Sequence, residues 1–414
     1  GLSMVEHRTK ARLVLFGIGV VGFVVFVLVA RVVIVNIHPE VDEIGAPDKK
    51  QDDDIVYQIK EFDDLQKMEK QLFKLSANAV DMEQIILVTG GSGFICSHFV
   101  DLALREGYQV IVMDRTQDPT LEGARQNWKM KRGKGNVPAF IHVFGDVTNA
   151  EDLELIPNVP IHYIFHCAGD PPPRQYYTNS TNKKEPEHVH NEYNQLHMES
   201  TKNLLQLIET RDFPVHKFMV LSTTDVYGAL AKNFLPFSRM KKHPNPPNAW
   251  SVSKLKMEKY IQRTWRTRKH VKRYAIIRPT TVYGPRQREG LVADLLHAAI
   301  NNEPMNLPTR GTYTRDLLFV NDLVEAIYSV MLLPNAYLEV NVGSKIVVSL
   351  DKLAETIQTV THSDSPIVHT RNSFPYITNQ MVEDNVVNPQ NPVSLDDGLK
   401  ITLSLSSPTS PSSW

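Results

Sequence analysis

Cysteine is almost missing from this chain of 414 residues, which holds only Cys96 and Cys167. The two fall in different predicted strand-end loops, so no disulfide framework is indicated. Neither sign of charge dominates, with Lys+Arg 45 against Asp+Glu 46, and this excludes a nucleic-acid binder driven by bulk charge. No internal repeat is visible. A complete metal-ligand set is missing too. His188, His190 and His197 share one predicted helix, and His190 and His197 share a face, but no acidic or cysteine partner joins them. Solvated or core histidines are the expectation, and no metal. The basic runs at 129–134 and 241–243 read as solvated loops.

What is present starts with residues 85–96, Ile-Ile-Leu-Val-Thr-Gly-Gly-Ser-Gly-Phe-Ile-Cys. A β-forming run enters a glycine-rich turn, and 97–105 reads as a helix. Strand, tight turn and helix N-terminus together make an anion site, because free backbone N–H groups and the helix dipole converge there. Gly90 and Gly93 let the main chain approach a pyrophosphate. A second strand at 109–113 ends at Asp114, about 20 residues past the turn, where a carboxylate can accept from both ribose hydroxyls of NAD.

Residues 13–30 are uninterruptedly apolar, and after Arg31 the character resumes to 35. That length spans a bilayer. Arg8, Lys10 and Arg12 precede it, while Glu40, Asp42 and Glu43 follow. The positive-inside bias then places 1–12 in the cytoplasm and the rest across the membrane, a single-pass type II protein of the Golgi or ER. Asn179-Ser180-Thr181 is a glycosylation sequon that fits a lumenal domain.

Beyond the 13–35 transmembrane helix, 36–80 reads as an acidic linker and an amphipathic stalk helix, with Ile55, Ile59, Phe62, Leu65, Met68, Leu72 and Leu75 at three- and four-residue steps. Strands are expected at 139–144, 163–169, 217–222 and 273–278, and helices at 150–156, 187–210 and 248–266. This alternation means an α/β, Rossmann-like, doubly wound parallel sheet over 81–286. Residues 287–400 read as a smaller α+β part that closes over a substrate, and 401–414 as a disordered tail.

Six ordered motifs carry a resemblance. They are Thr89 to Ile95, Gly145-Asp146-Val147, Leu221 to Gly228, Arg278 to Arg286, Tyr313 to Asp316, and Ser349-Leu350. Over roughly 84–400 the chain resembles the extended short-chain dehydrogenase/reductase family, in its NAD-dependent nucleotide-sugar epimerase, dehydratase and decarboxylase branch. An anchor and stalk before such a domain resemble the Golgi-type UDP-glucuronate decarboxylases and uronate 4-epimerases. The resemblance implies NAD as cofactor and a UDP-sugar as partner, with C4 of the sugar transiently oxidised. It implies that Gly90 and Gly93 hold the pyrophosphate with Phe94 and Ile95 also at the cofactor, that Asp114 binds the adenosine ribose, that Asp146 and Val147 bind the adenine, and that Ala168 lines the nicotinamide side. It gives Thr223 the sugar hydroxyl, Lys254 the nicotinamide ribose, and Arg315 with Arg286 the anionic substrate. A homodimer, or a heterodimer with a homologue, would form through the helices at 187–210 and 248–266.

The family's catalytic tyrosine should stand four residues before Lys254, where this chain has Trp250. An indole N–H donates but offers no usable proton acceptor. Asp225 is the one candidate substitute base. Cys96 stands where the third glycine of the turn belongs, and His197 where the family usually keeps an asparagine. The expectation is a degenerate catalytic centre. Its alternatives are a pseudoenzyme that scaffolds an active homologue, and a steroid-type dehydrogenase of the same superfamily, against which Arg286 and Arg315 argue.

Overall fold

A computed structural model describes residues 57–59, 84–115, 140–170, 185–211, 213–228, 244–308, 313–370, 389 and 391–405. The apolar segment 13–35, the linker, the sequon at Asn179 and the basic runs lie outside the described residues. Among the described residues no helix is long and apolar enough to cross a membrane.

Among the described residues the main sheet has eight strands. In chain order they are β1 (Tyr57–Ile59), β2 (Ile85–Thr89), β3 (Gln109–Asp114), β4 (Phe140–Phe144), β5 (Ile161–His166), β6 (Lys217–Leu221), β7 (Tyr274–Pro279) and one further strand, Tyr337–Val342. Every pairing is parallel, and the spatial order is β1-β4-β3-β2-β5-β6-β7 with Tyr337–Val342 on the far edge. The order reverses between β2 and β5, so the carboxyl ends of those two strands open the crevice where α/β sheets bind ligands.

Residues alternate between two cores along each strand, as a pleated sheet buried on both faces requires. Ile85 and Leu87 face one core, with α4 (Ser200–Thr210) and α5 (Ala249–Thr264) packed on it through Leu204, Ile208, Met257 and Ile261. Ile86 and Val88 face the other, under α1 (Phe94–Arg105) and α7 (Val320–Leu332) through Phe99, Ala103, Leu323 and Ile327. The buried Lys217 of β6 donates to the carbonyls of Val330 and Leu333, which end α7.

A third core belongs to the C-terminal part. It joins β8 (Thr281–Tyr283), α6 (Leu291–Ile300), β9 (Met305–Pro308), β10 (Thr314–Phe319), α8 (Leu350–Thr361) and α9 (Leu395–Leu405). The small sheets are β8-β10 with Val347–Ser349, and β9 with Ile367–Thr370. The described residues also include α2 (Ala150–Leu153), and α3 (Glu187–Tyr193), which continues through a π-helical segment, Asn194–Glu199, into α4.

Four expectations are corrected. Residues 57–59 are not helical: they add a parallel strand to β4, so pairing at a sheet edge overrides the local three-four spacing. The boundary at 286 is not a domain boundary, because Tyr337–Val342 returns to the main sheet and pairs with β7 along its length. The tail does not begin at 401: α9 runs to Leu405, Thr402 is buried, and Gly398 lies so near Tyr283 that a Cβ would clash with its hydroxyl. The helix at 187–210 is not a single α-helix, and its π turn shifts the phase between His190 and His197.

Candidate active site

The carboxyl edge of the main sheet borders a cleft of about 550 Å³. Gly90, Gly93, Phe94, Ile95, Asp114, Asp146, Val147 and Ala168 all line it, as do Thr223, Asp225, Trp250, Lys254, Arg286 and Arg315. The structure therefore brings together every described residue that the sequence assigned to cofactor, substrate or catalysis.

Gly90 has φ +70°, and a Cβ there would stand 2.6 Å from the Cα of Ala168. Only glycine allows this approach between the ends of β2 and β5. Gly93 is the N-cap of α1 and supplies no side-chain cap, so the helix's first N–H groups face the cleft. The Ser92 N–H donates to Asp114 Oδ2 at 2.9 Å, which holds the carboxylate at the end of β3 against the turn. Ser92 is 5% exposed, and its buried hydroxyl has no partner among the described residues. An orphaned buried hydroxyl beside a helix N-terminus fits the phosphate oxygens of a dinucleotide. The residues present thus fit the cofactor.

At the adenine end, Asp146 Oδ1 accepts from the Thr148 N–H and hydroxyl, each at 2.8 Å. Arg115 bridges Asp170 at 2.9 Å and Asp146 at 3.8 Å. The sequence reading missed Arg115, although its place directly after Asp114 was the available signal.

The opposite wall is built from β6 and α5. Asn248 caps α5 in a reciprocal capping box with Ser251, which fixes where the helix starts and so where Trp250 and Lys254 point. The Lys254 ammonium donates to the Leu221 carbonyl at 2.9 Å. Burial pulls its pKa down to about 8, against the raising influence of Glu258. Thr223 is 7% exposed, and its hydroxyl accepts from the Asp225 N–H at 3.1 Å, capping the 3-10 turn Thr224–Tyr227. The half-buried Trp250 donates its indole N–H to the Asp170 carbonyl at 3.0 Å.

Behind this wall, His197 is wholly buried, with Nδ1 2.7 Å from the Ser253 hydroxyl. Ser253 gives its own proton to the Trp250 carbonyl. Nδ1 must therefore carry the imidazole proton, which leaves Nε2 an acceptor beside Gly169 with no partner among the described residues. Burial, then Lys254 and His166, hold the His197 pKa well below its ordinary value. The nearby phenol of Tyr193, whose ring stacks on His197 at 5.8 Å, is pushed up to about 12 by burial and then by Asp170, Glu185, Glu192 and Glu289. Carboxylates surround it where an activated base would need a cation. No tyrosine is among the described residues that line the cleft.

Two further details were not legible in advance. Arg286 has its guanidinium matched by Asp101 at 2.7 Å and Ser97 at 3.1 Å, so it ties its loop to α1 while bordering the cleft. Arg315, 5% exposed, lies deeper. Beneath α5, Glu258 receives Arg278 through two bonds of 2.7 and 2.8 Å, and Ser222 also donates to Glu258. Arg278 reaches Glu339 at 2.9 Å and the Tyr227 hydroxyl at 2.8 Å as well. This buried network locks α5, β7 and Tyr337–Val342 together under the Lys254 wall.

The cysteines also depart from expectation. Cys96 in the first turn of α1 and Cys167 just past β5 bring their sulfurs into contact, with Cα atoms 6.8 Å apart. The sheet order makes neighbours of two loops separated by 71 residues in sequence.

Known proteins supply the comparison. The chain is 26% identical over 305 residues to a UDP-N-acetyl-alpha-D-glucosaminuronate decarboxylase of Bacillus cytotoxicus, a match covering 70% of this chain and 84% of that protein. It is 25% identical over 286 residues to the dTDP-D-glucose 4,6-dehydratase of Homo sapiens, covering 68% and 75%. Among solved structures, the fold is similar to a UDP-glucuronic acid 4-epimerase from Bacillus cereus in complex with UDP-glucuronic acid and NAD, with TM-score 0.63, 22% identity, and coverage of 78% of this chain and 98% of that one. Residues 86–343, more than half of the chain, match the NAD dependent epimerase/dehydratase family. The chain belongs to that family, and NAD is its cofactor.

Proposed function

We propose that this protein binds NAD and a UDP-sugar of the uronate class, and that the family's oxidation at the sugar C4 is strongly impaired in it. The observation that carries the reading is Trp250, four residues before Lys254, with its indole N–H already given to the Asp170 carbonyl. Relatives that decarboxylate or epimerise uronate sugars, and the buried Arg315 in the cleft, support an anionic sugar nucleotide over a sterol.

The residues divide the work as follows. The turn Gly90–Gly93 and Ser92 would hold the pyrophosphate, Asp114 the adenosine ribose, and Lys254 the nicotinamide ribose. Bound NAD supplies the hydride acceptor. Thr223, just past the end of β6, would hydrogen-bond a sugar hydroxyl. That hydroxyl must lose a proton as its carbon is oxidised, and an indole has no lone pair to receive it. Loss of a positioned general base costs about 10²–10⁴-fold in rate. Asp225 borders the same cleft next to Thr223 and is the second reading, a carboxylate base in place of the phenol.

The reading extends to place and assembly. The apolar segment 13–35 anchors the chain, and the cationic residues before it put the sugar-nucleotide domain on the lumenal side of a Golgi or ER membrane. The helices α3–α4 and α5 form the face for a second copy or a homologue, which would make the chain a binding partner of an active enzyme. Calorimetric titration of the purified chain with NAD and with UDP-glucuronate, alongside product analysis, tests this. Binding of both ligands with negligible conversion is expected. Conversion at a rate ordinary for enzymes, about 1–10³ per second, would refute the impairment, and conversion abolished by Asp225→Asn would establish the second reading.

A further inference from the structure

We infer that Cys96 and Cys167 form an intramolecular disulfide that staples the dinucleotide turn to the end of β5, and that its oxidation state sets the affinity for NAD. The inference rests on the assignment of NAD to this cleft, but the cross-link itself stands on geometry alone. The two sulfurs point at each other in direct contact, and the Cα separation of 6.8 Å is at the upper end of the range disulfides span. Both residues are buried, 3% and 8% exposed, and both border the cleft. The chain holds no other cysteine, so neither has a rival partner within one molecule.

The position gives the bond its consequence. Cys96 follows the turn that presents Gly90, Ser92 and Gly93, while Cys167 precedes Ala168 and Gly169 on the other lip of the crevice. β2 and β5 pair up to Thr89 and His166, and the Cys167 N–H donates to the Thr89 carbonyl at 3.2 Å. Just past that point Gly90 and Ala168 lie in close approach, and the disulfide is the covalent tie between the two lips. A dinucleotide lying across both lips binds better when their separation is fixed beforehand. The cysteine at the third-glycine position of the turn thus acquires a role through a residue on another strand.

The chemistry balances as thiol–disulfide exchange. One cysteine thiolate attacks a low-molecular-weight disulfide of the glutathione class, forming a mixed disulfide and releasing one thiol. The second cysteine then displaces the other thiol. Two protein thiols lose two electrons and two protons in all, and the oxidant is reduced to two thiols.

The test uses the full chain in detergent, purified without reductant. Alkylation with iodoacetamide under denaturing conditions should modify neither cysteine before reduction and both after it, and peptide mapping should join the segments that carry Cys96 and Cys167. NAD titration with and without dithiothreitol should show the reduced chain binding about three- to tenfold more weakly. Cys96→Ala combined with Cys167→Ala should bind like the reduced chain and ignore the reductant. If that variant does not fold, the comparison of reduced and unreduced wild type decides alone. Two freely alkylated cysteines before reduction, or a cross-link between chains, would overturn the staple. Equal affinity in both states would overturn its effect on NAD. No NAD binding in either state would overturn that effect and the cofactor assignment together, while leaving a mapped cross-link standing.

Discussion

The two walls of the cleft differ. On the β2–β3–β4 side, the turn, the carboxylate after β3 and the orphaned Ser92 hydroxyl all fit a dinucleotide. On the β6–α5 side, Thr223 and Lys254 are in place and their helix is firmly capped, yet the side chain between them is an indole whose proton is committed to a carbonyl. Binding and proton transfer therefore reside in separable parts of one fold.

The largest effect expected from breaking this arrangement is structural. Arg278→Met removes one partner of a buried, doubly bonded ion pair and strands the Glu258 carboxylate, which is 0% exposed. We expect a loss of about 3–5 kcal/mol in unfolding free energy, read by denaturant titration. A loss below about 1 kcal/mol, the size of an exposed pair, would show that the network does not support the α5 wall.

Next is the binding wall itself. In Gly90→Ala the new methyl meets the Ala168 backbone at 2.6 Å in a positive-φ conformation. Overpacking and strain of this kind cost about 1–3 kcal/mol. NAD affinity should fall by about tenfold or more in fluorescence titration, whereas unchanged affinity would mean that the turn is not the dinucleotide site.

Acid should sharpen the contrast through buried histidines. Burial holds His98 near 4, with Arg286 adding to the effect, and His166 near 3, with Lys254 adding. In each case the folded pKa lies below the unfolded value of 6.5. The unfolded chain thus binds more protons below that pH, and stability falls as pH drops from about 6.5 toward the folded values. Each such histidine should remove about 1 kcal/mol by pH 5.5, measurable as a declining denaturation midpoint. A flat profile between pH 7 and 5.5 would contradict it. The smallest effect is expected from Trp250→Phe. It frees the Asp170 carbonyl but leaves the ring's bulk, and NAD affinity should stay within about threefold, since one hydrogen bond contributes about 0.5–1.5 kcal/mol net.

Local signals made the binding wall legible in sequence. A strand buried on both faces reads as an apolar run, and the glycine turn and Asp114 follow within one βαβ unit. The second wall was legible only through the resemblance of the ordered motifs to a known family, which implied that Thr223, Trp250 and Lys254 meet. Long-range pairing was not legible. Residues 57–59 carry a helix-like spacing, but the edge of β4 draws them into the sheet. Tyr337–Val342 looked like part of the C-terminal half until its pairing with β7 appeared. The contact between Cys96 and Cys167 depends on β2 lying beside β5, which no local pattern reveals. The ion pair of Arg286 with Asp101 was not legible for the same reason, since 185 residues separate the two.

Restoring the missing proton acceptor is the most direct measurement. With NAD and UDP-glucuronate present, the wild type and Trp250→Tyr are compared for conversion of the sugar nucleotide under identical conditions. Lys254 stands ready to lower a phenol's pKa, so the variant should outpace the wild type by about 10²-fold or more. A wild type that converts the substrate as fast as its tyrosine variant would contradict the account.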